Sequence, residues 1–203
     1  MIARREAAIH AAIWRDPPTE DLASPGEVFS CVVAKHSIME EVFRVLNSLE
    51  KAGLVERYAL GGAVAAAFYM EPVTTYDVDV LVILPPSESP LVTLSPIYDR
   101  LTAMGHQVQA EHILVEGQPM QFLPAYNSLV EEAVLEAVEF RYGTTPVRVP
   151  RPEHLAAIML QTHRRKDQIR LSMFVDEVAL DLAHFGDILA RHELAARWEE
   201  FRS

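Results

Sequence analysis

Apolar side chains recur with helical spacing over residues 37–51. One face of this segment carries Ile38, Val42, Val45, Leu46 and Leu49. Ser37, with Glu40 three positions later, is typical of a capping box, and Gly53 is a usual signal for a helix end. The pattern therefore predicts an amphipathic helix over 37–51.

The next stretch changes from helical spacing to short apolar runs. A run over 55–60 predicts a strand, and the alanine-rich segment 63–70 predicts one or two turns of helix. Residues 76–84 predict a second strand, because a polar start is followed by a continuous apolar run. Such runs are typical of a central strand that is buried on both faces.

The remaining pattern completes an α/β fold. It predicts helices over 3–15, 93–104, 127–138, 152–162, 166–184 and 187–201. It predicts extended segments over 107–115, 120–123 and 147–149. We expect a peripheral N-terminal segment and linker (1–35), a core with a small mixed β-sheet flanked by helices (36–125), and a mainly helical C-terminal region (126–203).

The composition limits the cellular location and the binding partners that we expect for the protein. Hydrophobic residues make up 50% of the chain, yet no apolar run is long enough to cross a bilayer. The single cysteine, Cys31, excludes an internal disulfide, which fits a reducing cytoplasm. The net charge of −11 disfavours a protein that grips nucleic acid over its whole surface. We therefore expect a cytoplasmic protein with no membrane contact.

Two aspartates at the start of the second strand are the strongest candidates for chemistry. Because strand side chains alternate, Asp77 and Asp79 point to one face, where two carboxylates are costly to desolvate without a cation. Mg²⁺ favours one or two carboxylates completed by substrate phosphates. Gly61 and Gly62 would let backbone groups approach a triphosphate, although a double glycine alone is more often a tight turn.

These features together resemble a known signature. Leu60-Gly61-Gly62, a short helix, and then Thr75-x-Asp77-Val78-Asp79-Val80 look like the motif of the polymerase-β-like nucleotidyltransferase superfamily. Within it, the chain is similar to minimal AbiEii-type, toxin-like nucleotidyltransferases. The resemblance covers about residues 37–125 and extends weakly to about 175.

The resemblance implies a function and a set of roles. Gly61, Gly62 and Thr75 would bind a nucleoside triphosphate, and Asp77 and Asp79 would hold Mg²⁺. A nucleoside monophosphate would pass to an acceptor, such as a tRNA 3′ end. In toxin-like relatives this activity implies a separately encoded antitoxin as a partner.

The chain departs from the superfamily at its third carboxylate. The position where a later strand would supply that acid holds Gln121, which accepts a hydrogen bond but cannot act as a carboxylate base. Glu111 on the preceding strand is the alternative acid.

A basic segment follows in the C-terminal region. Seven cations and two acids lie between residues 141 and 170, which makes the segment +5. It is either a solvated surface or a phosphate site. Arg165-Lys166-Asp167 resembles the Lys-Asp segment of the toxin-like relatives, which implies Lys166 as a nucleotide contact and Asp167 as a catalytic partner or base. The earlier lysine of those relatives is replaced by Met159, and a further acid by Arg170.

Three functions remain open at this point. The first is nucleotidyl transfer to RNA, and the second is transfer to a small cationic acceptor such as an aminoglycoside, which suits the acidic chain. The third is a catalytically degenerate nucleotide-binding protein. The histidines show no paired helical spacing of a zinc site, so we interpret them as surface or core residues: His106, His112, His154 and His163.

Overall fold

The computed structural model describes residues 25–71, 74–86 and 93–203, with side chains from residue 37 onward. Within these ranges the helices are α1 (Pro25–Lys51), α2 (Gly62–Ala66), α3 (Ser95–Ala103), α4 (Ser128–Leu135), α5 (Pro152–Thr162), α6 (Arg165–Glu177), α7 (Leu182–Arg191) and α8 (Ala195–Arg202). The strands there are β1 (Arg57–Leu60), β2 (Val78–Ile83), β3 (Gln107–Gln109), β4 (His112–Val115), β5 (Gln118–Pro124), β6 (Val138–Tyr142) and β7 (Thr145–Val149). The predicted helix over 3–15 lies outside the described residues.

A five-stranded mixed sheet forms the centre of the fold, in the order β1-β2-β5-β4-β3. Strand β2 pairs with β1 antiparallel and with β5 parallel, and the remaining pairs are antiparallel. Helices flank this sheet, and β6 and β7 form a separate hairpin. The predicted α/β class with a small mixed sheet is therefore confirmed.

The two faces of β2 pack against different parts of the fold. Val78, Val80 and Val82 are fully buried in the main core, which also contains the apolar face of α1. On the opposite face, Leu81 belongs to a smaller buried cluster with Val130 and Val134 of α4. Because side chains alternate along a strand, Asp79 lies on this second face. The fold thus turns a carboxylate toward the C-terminal helices.

Helix α1 begins earlier than predicted. It starts at Pro25, so Ser37 lies inside the helix and the predicted capping box is wrong. Proline is well suited to a first helical position, because its missing N–H would be unpaired there anyway.

Two extended predictions also required correction. The segment 107–115 is two strands, because the chain reverses where Ala110 adopts a positive φ of 54°. The segment 147–149 is the end of β7, whose partner β6 was missed because the predicted helix 127–138 ends at Leu135.

The C-terminal helices are divided differently from the prediction. The helix predicted over 166–184 ends at Glu177, and α7 starts at Leu182. The side chain of the preceding N-cap residue, Asp181, accepts hydrogen bonds from the backbone N–H groups of Ala183 and His184. The helix predicted over 187–201 is interrupted between α7 and α8. No helix in the described ranges is long and apolar enough to cross a membrane.

Candidate functional site

The glycine turn after β1 lies directly against Asp79. The backbone N–H of Gly61 donates to the Asp79 carbonyl oxygen at 2.8 Å. Gly62 has a positive φ of 56°, and a Cβ atom added there would collide with Asp79 Oδ2 and lie 3.2 Å from its Cγ. Glycine therefore suits residue 62 through its backbone conformation, and a Cβ atom there would force the Asp79 carboxylate to move.

The two aspartates are near each other but lie in different environments. Asp77 precedes β2, accepts a hydrogen bond from Thr75 Oγ1 at 2.9 Å, and has His112 Nε2 3.7 Å from its Oδ2. Burial raises the pKa of the Asp79 carboxyl above its usual value, and the charge of Asp77 raises it further. Three cations oppose this rise: Lys166, Arg170 and Arg164. The carboxylate pair therefore favours a bound cation.

A cavity of about 530 Å³ joins these groups. All seven sequence-predicted site residues line it: Gly61, Gly62, Thr75, Asp77, Asp79, Lys166 and Asp167. Its apolar part is formed by the sheet and α5, through Leu81, Leu123, Leu155, Ile158 and Met159. Residues separated by about one hundred positions in the chain thus share one cavity, while their chemical roles stay predictions.

Asp167 is buried and organises the start of α6. Its Oδ2 accepts from Thr162 Oγ1 at 2.8 Å and from Arg164 Nε at 2.6 Å, and its Oδ1 is 3.6 Å from Arg170 Nη1. It thereby holds two arginines that line the cavity. Lys166 is exposed beside them and forms no ion pair within the part of the chain that the structure describes.

The basic segment is divided between several places. Arg148 pairs with Glu50 of α1 at 2.6 Å, and Arg151 approaches Glu136 at 3.9 Å. Only three of the seven cations line the cavity: Arg164, Lys166 and Arg170. The sequence pattern indicated Lys166 individually but not Arg164. The feature that could have indicated Arg164 is its (i, i+3) spacing to Asp167 at the start of a helix, which allows an ion pair.

The acid expected on a later strand is a glutamine in this chain. Gln121 of β5 lies in register with Asp79 of β2, at the position predicted for that acid. Among the described residues, no group of three histidine, cysteine, aspartate or glutamate side chains that includes Asp77 or Asp79 has ligand atoms all within 4.8 Å of one another. Glu111 is exposed and instead lines a neighbouring cavity of about 750 Å³.

This second cavity adjoins the first. Both are lined by Thr75, Asp77, Lys166 and Arg170. The wall of the second cavity that belongs to α6 is apolar and exposed at Ile169 and Met173. A molecule held there would meet Asp77 and Lys166 at the border of the two cavities.

The donor set fits Mg²⁺. Hard oxygen ligands are what this ion prefers, and it commonly uses one or two carboxylates with substrate phosphates. Here two carboxylates line one cavity, and burial makes the charge of Asp79 costly until a cation neutralises it.

Comparison with known proteins gives likeness only at the level of structure. No protein-family model matches the chain, and no curated protein matches it. An antigenic nucleotidyltransferase-like protein from Paracoccidioides brasiliensis is similar to it, with a TM-score of 0.49 and 14% identity over 80% of this chain and 93% of that chain. CdnC from E. coli MS115-1, solved with ATP, has a TM-score of 0.35 and 13% identity over 88% and 67%. At these scores the likeness assigns neither a family nor a substrate.

The contact between Gly62 and Asp79 can be tested against a matched glycine. Gly62→Ala and Gly117→Ala both place alanine at a positive φ (56° and 81°), which costs about 1–2 kcal/mol. Only at residue 62 does the new Cβ collide, since nothing lies within 4 Å of one at residue 117. We expect Gly62→Ala to lower the free energy of unfolding by about 1–3 kcal/mol more than Gly117→Ala. Urea unfolding measures both, and equal losses would contradict the close approach.

Proposed function

We propose that this protein is a Mg²⁺-dependent nucleotidyltransferase that transfers a nucleoside monophosphate from a nucleoside triphosphate to an acceptor hydroxyl. The observation that carries the proposal is the convergence of a glycine turn, two carboxylates and three cations on one cavity. The acceptor hydroxyl releases its proton to solvent as its oxygen attacks the α-phosphorus, the bond to the β-phosphate oxygen breaks, and pyrophosphate leaves.

The carboxylates are assigned to the metal. Asp77 and Asp79 would hold Mg²⁺, which when bound supplies positive charge to the triphosphate and polarises the phosphoryl oxygens. Thr75 steadies Asp77 through its 2.9 Å hydrogen bond. Gly62 leaves the room in which Asp79 sits.

The triphosphate is assigned to the glycine turn and to the start of α6. Without a side chain at Gly61 and Gly62, phosphate oxygens can approach the backbone. Arg164, Lys166 and Arg170 add charge-assisted contacts. We assign Asp167 to positioning, because both of its oxygens already face arginine side chains.

The acceptor is assigned to the second cavity, next to Asp77. An RNA end would place its phosphate against Lys166 and Arg170, whereas an aminoglycoside would place its amines against Asp77 and Glu111. With a tRNA 3′ end as the acceptor, a separately encoded antitoxin is the expected partner. The two acceptors are distinguished by the assay below.

A nucleotide-binding protein without turnover is the second candidate. One observation favours it: Gln121, not a carboxylate, stands in register with Asp79. Glutamine cannot take the proton of the attacking hydroxyl. For this second candidate, the same cavity binds the nucleotide but no transfer follows.

Isosteric removal of either carboxylate tests the metal assignment. The protein is incubated with Mg²⁺, each labelled nucleoside triphosphate, and either total tRNA or an aminoglycoside. We expect label transfer by the wild type and a loss of about a hundredfold or more in Asp77→Asn and Asp79→Asn, because metal-bound charge stabilisation is worth several kcal/mol. Asp99→Asn, which changes an exposed acid of α3, is the control and keeps wild-type activity.

Two outcomes would change this account. Transfer that survives both substitutions contradicts the metal assignment. Saturable nucleotide binding without transfer to either acceptor supports the second candidate.

Neighbouring cations on the first turn of α6 provide a test of the phosphate contact. Lys166 and Arg165 are both exposed, but only Lys166 lines the cavities. We expect Lys166→Ala to weaken nucleoside triphosphate binding about tenfold, because one charge-assisted contact is worth about 1.5–3 kcal/mol. Arg165→Ala removes the same charge and leaves binding within about twofold. Titration calorimetry with Mg²⁺ and the triphosphate measures the dissociation constants of both variants. Equal effects would contradict a specific contact between Lys166 and the phosphates.

A further inference from the structure

A second group of metal-ligand side chains lies outside both cavities. It consists of Glu136 at the end of α4, His154 in α5 and His184 in α7. Each offers one ligand atom, and these atoms lie within 4.8 Å of one another. None of the three residues lines the nucleotide or acceptor cavity. Three helices that are separate in the sequence therefore meet at this group.

Two imidazole nitrogens in the group are buried without a hydrogen-bond partner. The His154 side chain has no exposed surface, and its Nε2 is 3.1 Å from Glu132 Oε1, while its Nδ1 has no partner. His184 Nε2 is likewise buried and has no hydrogen-bond partner. An unsatisfied buried polar atom is destabilising and rare in native proteins. Two such atoms lie in one group, so an ion that accepts both nitrogens as ligands would satisfy them.

We propose that Glu136, His154 and His184 form a binding site for a divalent transition-metal ion of the Zn²⁺ type. Two imidazole nitrogens and one carboxylate oxygen are a ligand set that Zn²⁺ accepts, with a fourth position for water. Glu136 is partly exposed, which gives the ion a route from solvent.

The surroundings of His154 match those of a metal ligand. Glu132 contacts His154 Nε2, which leaves Nδ1 as the nitrogen available to an ion, as in carboxylate–histidine–metal arrangements. Arg191 and His192 hold Glu132 from the other side. Burial lowers the pKa of His154, which favours the neutral form of the ring that binds metal.

The three ligand atoms would have to move closer together to hold the ion. His184 Nε2 and Glu136 Oε2 are 4.0 Å apart. Tetrahedral ligands at about 2.0–2.1 Å from Zn²⁺ are about 3.3 Å apart. The ion would tie α4 and α7 to α5, which carries part of the apolar wall of the nucleotide cavity. The site thus adds a structural clamp that is independent of nucleotidyl transfer.

Zn²⁺ titration of the full chain tests the site. Because Asp77 and Asp79 are a second possible cation site, the titration is also done in Asp79→Asn. We expect one Zn²⁺ per chain that survives Asp79→Asn and the control His106→Ala but is lost in His184→Ala. Co²⁺ should give the visible absorption of a site with imidazole ligands, again lost in His184→Ala. At a hundredfold excess over Kd, Zn²⁺ should raise the Tm by about 5–10 °C.

Glu136→Gln is the second variant, because this partly exposed side chain can change without disturbing the core. We expect it to weaken Zn²⁺ binding at least tenfold. Absence of saturable binding in the wild type, or binding that is unchanged in both His184→Ala and Glu136→Gln, would overturn the proposal. Either result leaves the nucleotidyltransferase proposal untouched, since that depends on Asp77 and Asp79.

Discussion

The candidate active site depends on the close approach of the Gly62 backbone to the Asp79 carboxylate. The contact exists because β1 and β2 are paired and the chain turns at Gly61 immediately beyond that pairing. Gly62 then adopts a conformation that other residues avoid, and the space left by its missing side chain holds Oδ2. The backbone of the turn and the partly buried Asp79 are thereby brought together in the cavity.

Charge balance explains the remaining arrangement. The partly buried Asp79 and its neighbour Asp77 repel each other, and cations at the start of α6 oppose this repulsion. Asp167 contributes indirectly, because it holds Arg164 and Arg170 at the cavity wall. The result is a cavity with an acidic side that suits a metal and a basic side that suits phosphate. This division agrees with a triphosphate bridging the two.

The sequence predicted the parts of the site that depend on local pattern. Alternation in β2 places Asp79 opposite the buried valines, and the strand register places Gln121 beside it. It could not predict contacts between distant elements. The cations of the basic segment are close together in the sequence and were interpreted as one patch. In the structure, Arg148 instead forms an ion pair with Glu50 of α1.

The same limit applies to the histidines and to the helix ends. His154 and His184 are thirty residues apart and on different helices, so no spacing rule could join them, whereas the fold does. Ser37 and Glu40 matched a capping box, but no helix-breaking residue follows Gly26 before Lys51, so the helix starts at Pro25. A capping motif does not start a helix when the residues before it are themselves helical.

The most direct measurement of the central claim is a crystal structure with Mg²⁺ and a non-hydrolysable nucleoside triphosphate analogue. We predict that Asp77 and Asp79 bind the metal, and that the phosphates lie between the Gly61–Gly62 turn and Lys166. A triphosphate bound elsewhere, or a cavity in which neither aspartate contacts a metal, would contradict it.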